Sequence, residues 1–128
     1  MEMFKDTWNP TKAEIKYWAF SDEHIPDQDW ELAIISFENL PFIISLAGNK
    51  HCKQTLFFLS CLYVFTGDIV RRGIREEVDR LAGLLEEIGK NARTKELKLW
   101  VDRSRSLIHS PENYHYDYWG LGSKYIYQ

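Results

Sequence analysis

The apolar positions of this chain recur with helical spacing along most of its length, and proline and glycine cut that recurrence into segments. Asn9-Pro10 sets a capping side chain before a first-turn proline, which predicts a helix running to about Phe20. Ile25-Pro26-Asp27 predicts a second helix over 27–38, with Asp27 and Asp29 near its positive end and Asn39-Leu40-Pro41 stopping it. A short apolar helix is expected over 41–47, ended by Gly48-Asn49. Segment 52–72 is apolar on nearly every side, from Leu56 and Phe57 to Ile69 and Val70, the mark of a helix surrounded by others. Over 74–88 the residues Ile74, Val78, Leu81, Leu84, Leu85 and Ile88 fall within about 120° of arc. On its outer side Glu76 and Arg80 stand four apart, acid first. Over 94–109 the stripe is Leu97, Trp100, Val101, Leu107 and Ile108, with Ser104 inside it.

No segment alternates convincingly with period two, and only Tyr125-Ile126-Tyr127 has the look of a strand. The expected fold is therefore all-α: one domain over 1–128, a compact bundle of five or six helices with short connections and an aromatic-rich C-terminal tail. That tail follows Pro111 and holds five of the seven tyrosines plus Trp119. So many rings suit a strap across the bundle, and equally a partner surface, because Tyr and Trp are favoured at interfaces.

Composition adds boundaries to this picture. With 128 residues, 45% hydrophobic and 27% charged, the chain is long enough to bury a core without staples and is unlike a disordered segment. The first residues lack the basic-then-apolar layout of a signal peptide, and two cysteines, Cys52 and Cys61, cannot make a disulfide framework, so a cytoplasmic protein is expected. The longest uncharged run, 54–67, is 14 residues and too short for a bilayer, so no membrane partner is expected. A net charge of −3 argues equally against a general nucleic-acid binder. That net value hides an asymmetry: residues 1–40 carry nine acids against three bases, leaving an excess of three positive charges in the remainder. Between Asp22 and Glu31 five acids occur with no Lys or Arg, a block that is often only a solvated face but that can steer a basic partner.

Catalytic chemistry is poorly supported. The four histidines share no ligand spacing and neither cysteine has a CxxC partner, so no metal site and no cofactor are expected, and the thiols read as buried core. Asp102, Ser106 and His109 share the outer face of the 94–109 helix, yet a serine in regular helix lacks the strained turn and oxyanion donors of a hydrolase. Gly120 and Gly122 lack the flanking strand and helix of a phosphate loop, and Arg71, Arg72 and Arg75 complement a helix end. The run Arg103-Ser-Arg-Ser-Leu-Ile-His109 resembles the arginine-to-histidine motif of HEPN nucleases, a family of small all-α proteins. That resemblance implies His109 as general base and Arg103 as stabiliser of phosphorane charge, with a serine where the family usually has asparagine.

Two longer stretches carry a different resemblance. CLYVFTGDIVR at 61–71 and the span from Trp100 to Trp119 are similar to small, acidic, helical bacterial immunity proteins of contact-dependent and polymorphic toxin systems, over roughly the C-terminal half. The resemblance implies a non-enzymatic inhibitor that binds a cognate toxin domain, a nuclease by expectation. The partner-binding residues expected on charge are Asp22, Glu23, Asp27, Asp29 and Glu31; those expected in the tail are Tyr116, Asp117, Tyr118 and Trp119. The helical RNase using Arg103 and His109 is the alternative.

Overall fold

The computed structural model describes residues 4–27 and 30–113. Among these described residues six α-helices are formed: α1 (Lys12–Ala19), α2 (Glu31–Ile34), α3 (Leu40–Ala47), α4 (Thr55–Arg72), α5 (Arg75–Asn91) and α6 (Lys95–His109), followed by a 3₁₀ turn, Pro111–Asn113. Among the described residues there is no strand, so the chain is all-α; the segment 125–127 and the rest of the tail lie outside them.

Helix α4 is the axis. It packs against α2, α3, α5 and α6, and thirteen of its 18 residues are buried, which explains its lack of a polar face. Its first turn begins at Thr55 rather than at Cys52. Cys52, Lys53 and Gln54 instead make a turn tied to the end of α1, where the Ala19 carbonyl accepts from Lys53 N (2.9 Å) and from Cys52 Sγ (3.3 Å). Gly73 ends α4 with φ of +66°, a left-handed conformation suited to glycine, and the chain reverses into α5.

Three further boundaries depart from the sequence reading, each for a local reason. Thr11, not Asn9, caps α1: its Oγ1 accepts from Glu14 N while Glu14 Oε1 accepts from Thr11 N, a reciprocal box that Asn9 lacks the matching acid to form. Of the helix expected over 27–38, the described residues form only the four of α2. Beyond Ile34 the side chains offer the backbone other partners: Asn39 Nδ2 donates to Ile34 O and Asn39 N donates to Ser36 Oγ, closing a turn where helix would continue. Ahead of α2, Asp27 faces an indole rather than a helix end, as described below. Finally, Ile74 is the N-cap of α5, about half exposed, not the first member of its buried stripe.

The outer pairing on α5 also differs. Arg80 lies with its guanidinium carbon 4.4 Å above the Phe37 ring, and Phe37 in turn meets Phe65 edge-on; the i,i+4 ion pair is Arg75 with Asp79, at 3.8 Å. Stacking on a half-buried ring offers the guanidinium more than an exposed carboxylate four residues away.

The core has two centres. At one end Phe4, Trp18, Trp30, Phe57 and Phe58 pack with ring centroids 5.0–5.8 Å apart, mostly edge to face. Both buried indoles find acceptors: Trp30 Nε1 donates to Thr7 O and Trp18 Nε1 to His24 O. At the α4–α6 seam a polar cluster replaces rings. Trp100 Nε1 donates to Thr66 Oγ1, which lies 3.0 Å from Leu62 O and 3.2 Å from Ser104 Oγ. This is why a serine interrupts the apolar stripe of α6.

Candidate partner-binding site

The acidic segment at 21–27 is an irregular loop held from several sides. The Trp18 indole donates to His24 O at 3.1 Å from beneath. The amide of Gln54, at the start of α4, donates to both Ser21 O (2.8 Å) and Glu23 O (2.9 Å). Ser21 Oγ donates back to Trp18 O, and Trp8 Nε1 donates to Asp27 Oδ2 at 3.0 Å. A loop whose carbonyls are used by the scaffold turns its side chains outward, with little ordering left to lose on association.

Those side chains are acids. Asp22 is exposed and pairs with Lys53 at 3.2 Å, a surface contact of small energetic weight. Glu23 is exposed and has no hydrogen bond or ion pair through its carboxylate among the described residues. Asp27 is exposed and holds the Trp8 indole. Of the expected anchors, the loop therefore gathers Asp22, Glu23 and Asp27. Asp29, the side chain of Glu31, and the tail residues Tyr116, Asp117, Tyr118 and Trp119 lie outside the described residues.

Beside the loop, between the N-terminal segment and α1, opens a cleft of about 980 Å³. Phe4 and Trp18 are its buried apolar wall; Lys5, Asp6, Glu14, Tyr17, Glu23 and His24 also line it. Glu14 stitches this wall together. Besides its role in the cap, its Oε2 accepts from Lys5 N at 3.1 Å. The backbone N–H of Thr11, and after it that of Lys5, hold the Glu14 carboxyl below its ordinary pKa and so keep it ionised.

Sequence reasoning missed the apolar members of this surface. Trp8, Tyr17 and Ile25 are exposed at 50%, 70% and 38%, and all three sit on the segments that frame the cleft. Tyr17 had a signal, because it stands off the buried Ile15–Trp18–Ala19 face of α1. Trp8 had none, since its position follows from a hydrogen bond to a residue nineteen positions away.

The residues of the nuclease-like motif are placed differently. Arg103 is half-buried on α6, its guanidinium carbon 6.0 Å from the centre of the buried Tyr63 ring, while His109 is exposed at the helix end. Six residues of regular helix separate the two by roughly 9 Å along the axis and about 120° around it. Asp102 and Ser106 are exposed on the outer side. Both cysteines are buried, and burial raises the Cys52 thiol above its usual pKa, which favours an inert protonated sulfur. No group of three His, Cys, Asp or Glu side chains gathers to hold a metal ion among the described residues, and none of their helices is long and apolar enough to cross a membrane. No protein-family model, curated protein or solved structure matches this chain.

Proposed function

We propose that this chain is an immunity protein: a stoichiometric inhibitor that binds a cognate bacterial toxin domain, a nuclease by preference, and covers its active site. The observation that carries the reading is the acidic loop, whose carboxylates at Asp22, Glu23 and Asp27 face solvent on a backbone tied down by Trp18 and Gln54. Nuclease active sites are cationic because they bind phosphates, so a pre-ordered carboxylate array is their natural competitor. Exposed Trp8, Tyr17 and Ile25 beside the acids supply the apolar contact that charge alone lacks. The reading also rests on the resemblance of 61–71 and 100–119 to immunity proteins.

The test is co-expression with the product of the adjacent upstream reading frame, which the proposal requires to carry a toxin domain. Restored growth, together with an equimolar complex in size-exclusion chromatography, is the expected result. Persistent toxicity with no complex overturns the proposal. Incubating the purified chain with total RNA checks the other direction: cleavage that disappears in Arg103→Ala and His109→Ala variants would make it an enzyme.

A further inference from the structure

We infer that the cleft between the N-terminal segment, α1 and the 21–27 loop receives an arginine side chain projecting from a loop of the partner, laid against the Tyr17 ring. This inference rests on the chain being a protein-binding module, as proposed above, and names the chemistry that one part of its surface selects.

Three features of the cleft favour this occupant. The first is the ring. Tyr17 is 70% exposed on α1 while its neighbours Ile15, Trp18 and Ala19 are buried, so a large aromatic face is held on a rigid helix with water on it. A guanidinium is planar and weakly hydrated, and it stacks on such a face more readily than an ammonium does. The second is charge. The lining carries three carboxylates, Asp6, Glu14 and Glu23, against one ammonium, Lys5. These acids are not equivalent. Glu14 has both oxygens engaged by backbone N–H groups and contributes a fixed negative field. Asp6 has one oxygen engaged by Trp8 N. The Glu23 carboxylate has no hydrogen bond or ion pair among the described residues and is the one open to a forked donor. The third feature is the wall. Phe4 and Trp18 form an apolar back to the cleft, suited to the methylene stem of a long cationic side chain. Such a cleft discriminates among basic partners: a lysine keeps the charge attraction and loses the stacking and the fork.

The experiment is a nuclear magnetic resonance titration of the full chain with three capped tripeptides, Gly-Arg-Gly, Gly-Lys-Gly and Gly-citrulline-Gly. The arginine peptide is expected to give saturable shifts confined to residues 5–6, 14–18 and 23–26. Its binding should be about fivefold tighter than that of the citrulline peptide, which has the same shape without charge. Tyr17→Ala should reduce the preference for arginine over lysine to the part carried by the fork at Glu23, and Tyr17→Phe should keep it whole. Exposure of this ring makes both variants compatible with folding, checked by an unchanged melting curve. Equal binding of the arginine and citrulline peptides, shifts elsewhere, or an unaltered preference in Tyr17→Ala overturns the inference. Failure here is separable from failure of the proposed function. A toxin complex that forms with unchanged affinity in Tyr17→Ala removes the cleft from the interface and leaves the inhibitor intact. Peptide binding with no toxin complex does the reverse.

Discussion

Thr66 has a single hydroxyl proton and three polar neighbours, and the arithmetic of donors settles how they share it. Leu62 O accepts from Thr66, so the Oγ1 lone pairs receive Trp100 Nε1 and the Ser104 hydroxyl. Every buried polar atom in the cluster is then satisfied. Thr66→Val should destabilise by about 1–3 kcal/mol, because it strands the Trp100 N–H and the Ser104 hydroxyl in an apolar seam. Ser104→Ala should cost less than about 1 kcal/mol, since Thr66 keeps its other two partners. Chemical denaturation of the two variants checks the order, and equal losses would contradict the assignment of donors. Glu14 offers a pH-dependent counterpart. Its pKa is lowered in the folded chain, first by Thr11 N–H and then by Lys5 N–H. Its stabilisation is therefore present above the unfolded carboxyl value, near 4.5, and is lost as pH falls through the lower folded value. Glu14→Gln, with one acceptor oxygen for two N–H groups, should melt below the parent at neutral pH, and the gap should close on acidification through that range. A gap that stays constant with pH would show that the carboxylate charge is not what the bonds from Lys5 N and Thr11 N depend on.

At the scale of elements, what was legible depended on whether a helix explains itself. Helix α4 declares its central place through unbroken apolarity, and α5 and α6 through stripes whose members Leu81, Leu85, Leu97, Trp100, Val101 and Leu107 are buried as the spacing requires. Helix α2 could not be read, because its length is decided outside it. Trp30 is drawn inward by Thr7 O and by the rings of Phe4, Trp18 and Phe57, and Asn39 closes the chain after Ile34. The candidate site follows the same rule. Its acids were visible as a run without cations, whereas Trp8 and the cleft arise from long-range bonds that no local pattern carries. The α4–α5 reversal gives a direct check on such local logic. A Cβ at Gly73 would meet nothing within 4 Å, so any penalty there is conformational. Gly73→Ala should destabilise by about 1–2 kcal/mol, and Gly73→Asn by visibly less, because Asn tolerates the left-handed region better. Thermal melts of the two variants test this, and equal melting points would place the strain elsewhere.

Across the whole molecule, charge and apolar contact would serve different moments of the proposed encounter. Residues 1–40 carry a net charge of −6 in a chain whose total is −3, so the molecule is polar and presents the 22–27 face to an approaching cation. Such a field acts over about a Debye length, roughly 8–10 Å at ordinary salt, and therefore governs how fast a basic partner arrives and with what orientation. In the proposed complex Tyr17 and Trp8 would act only after contact, when water leaves their faces, and so govern how long it lasts. The two roles predict opposite kinetic signatures with the toxin domain proposed as the partner. The triple variant Asp22→Asn, Glu23→Gln, Asp27→Asn should slow association about tenfold at low salt and flatten its salt dependence. Its dissociation should move much less. The choice of amides matters: Asn at position 27 keeps an oxygen for the Trp8 indole, and the Asp22–Lys53 pair is exposed, so the melting curve should hardly move. Tyr17→Ala should leave association nearly unchanged and speed dissociation. Surface plasmon resonance over a salt series reads both constants. If the triple variant instead accelerated dissociation while associating at the parental rate, the carboxylates would be contacts rather than a steering field, and the division of labour between loop and cleft would be wrong.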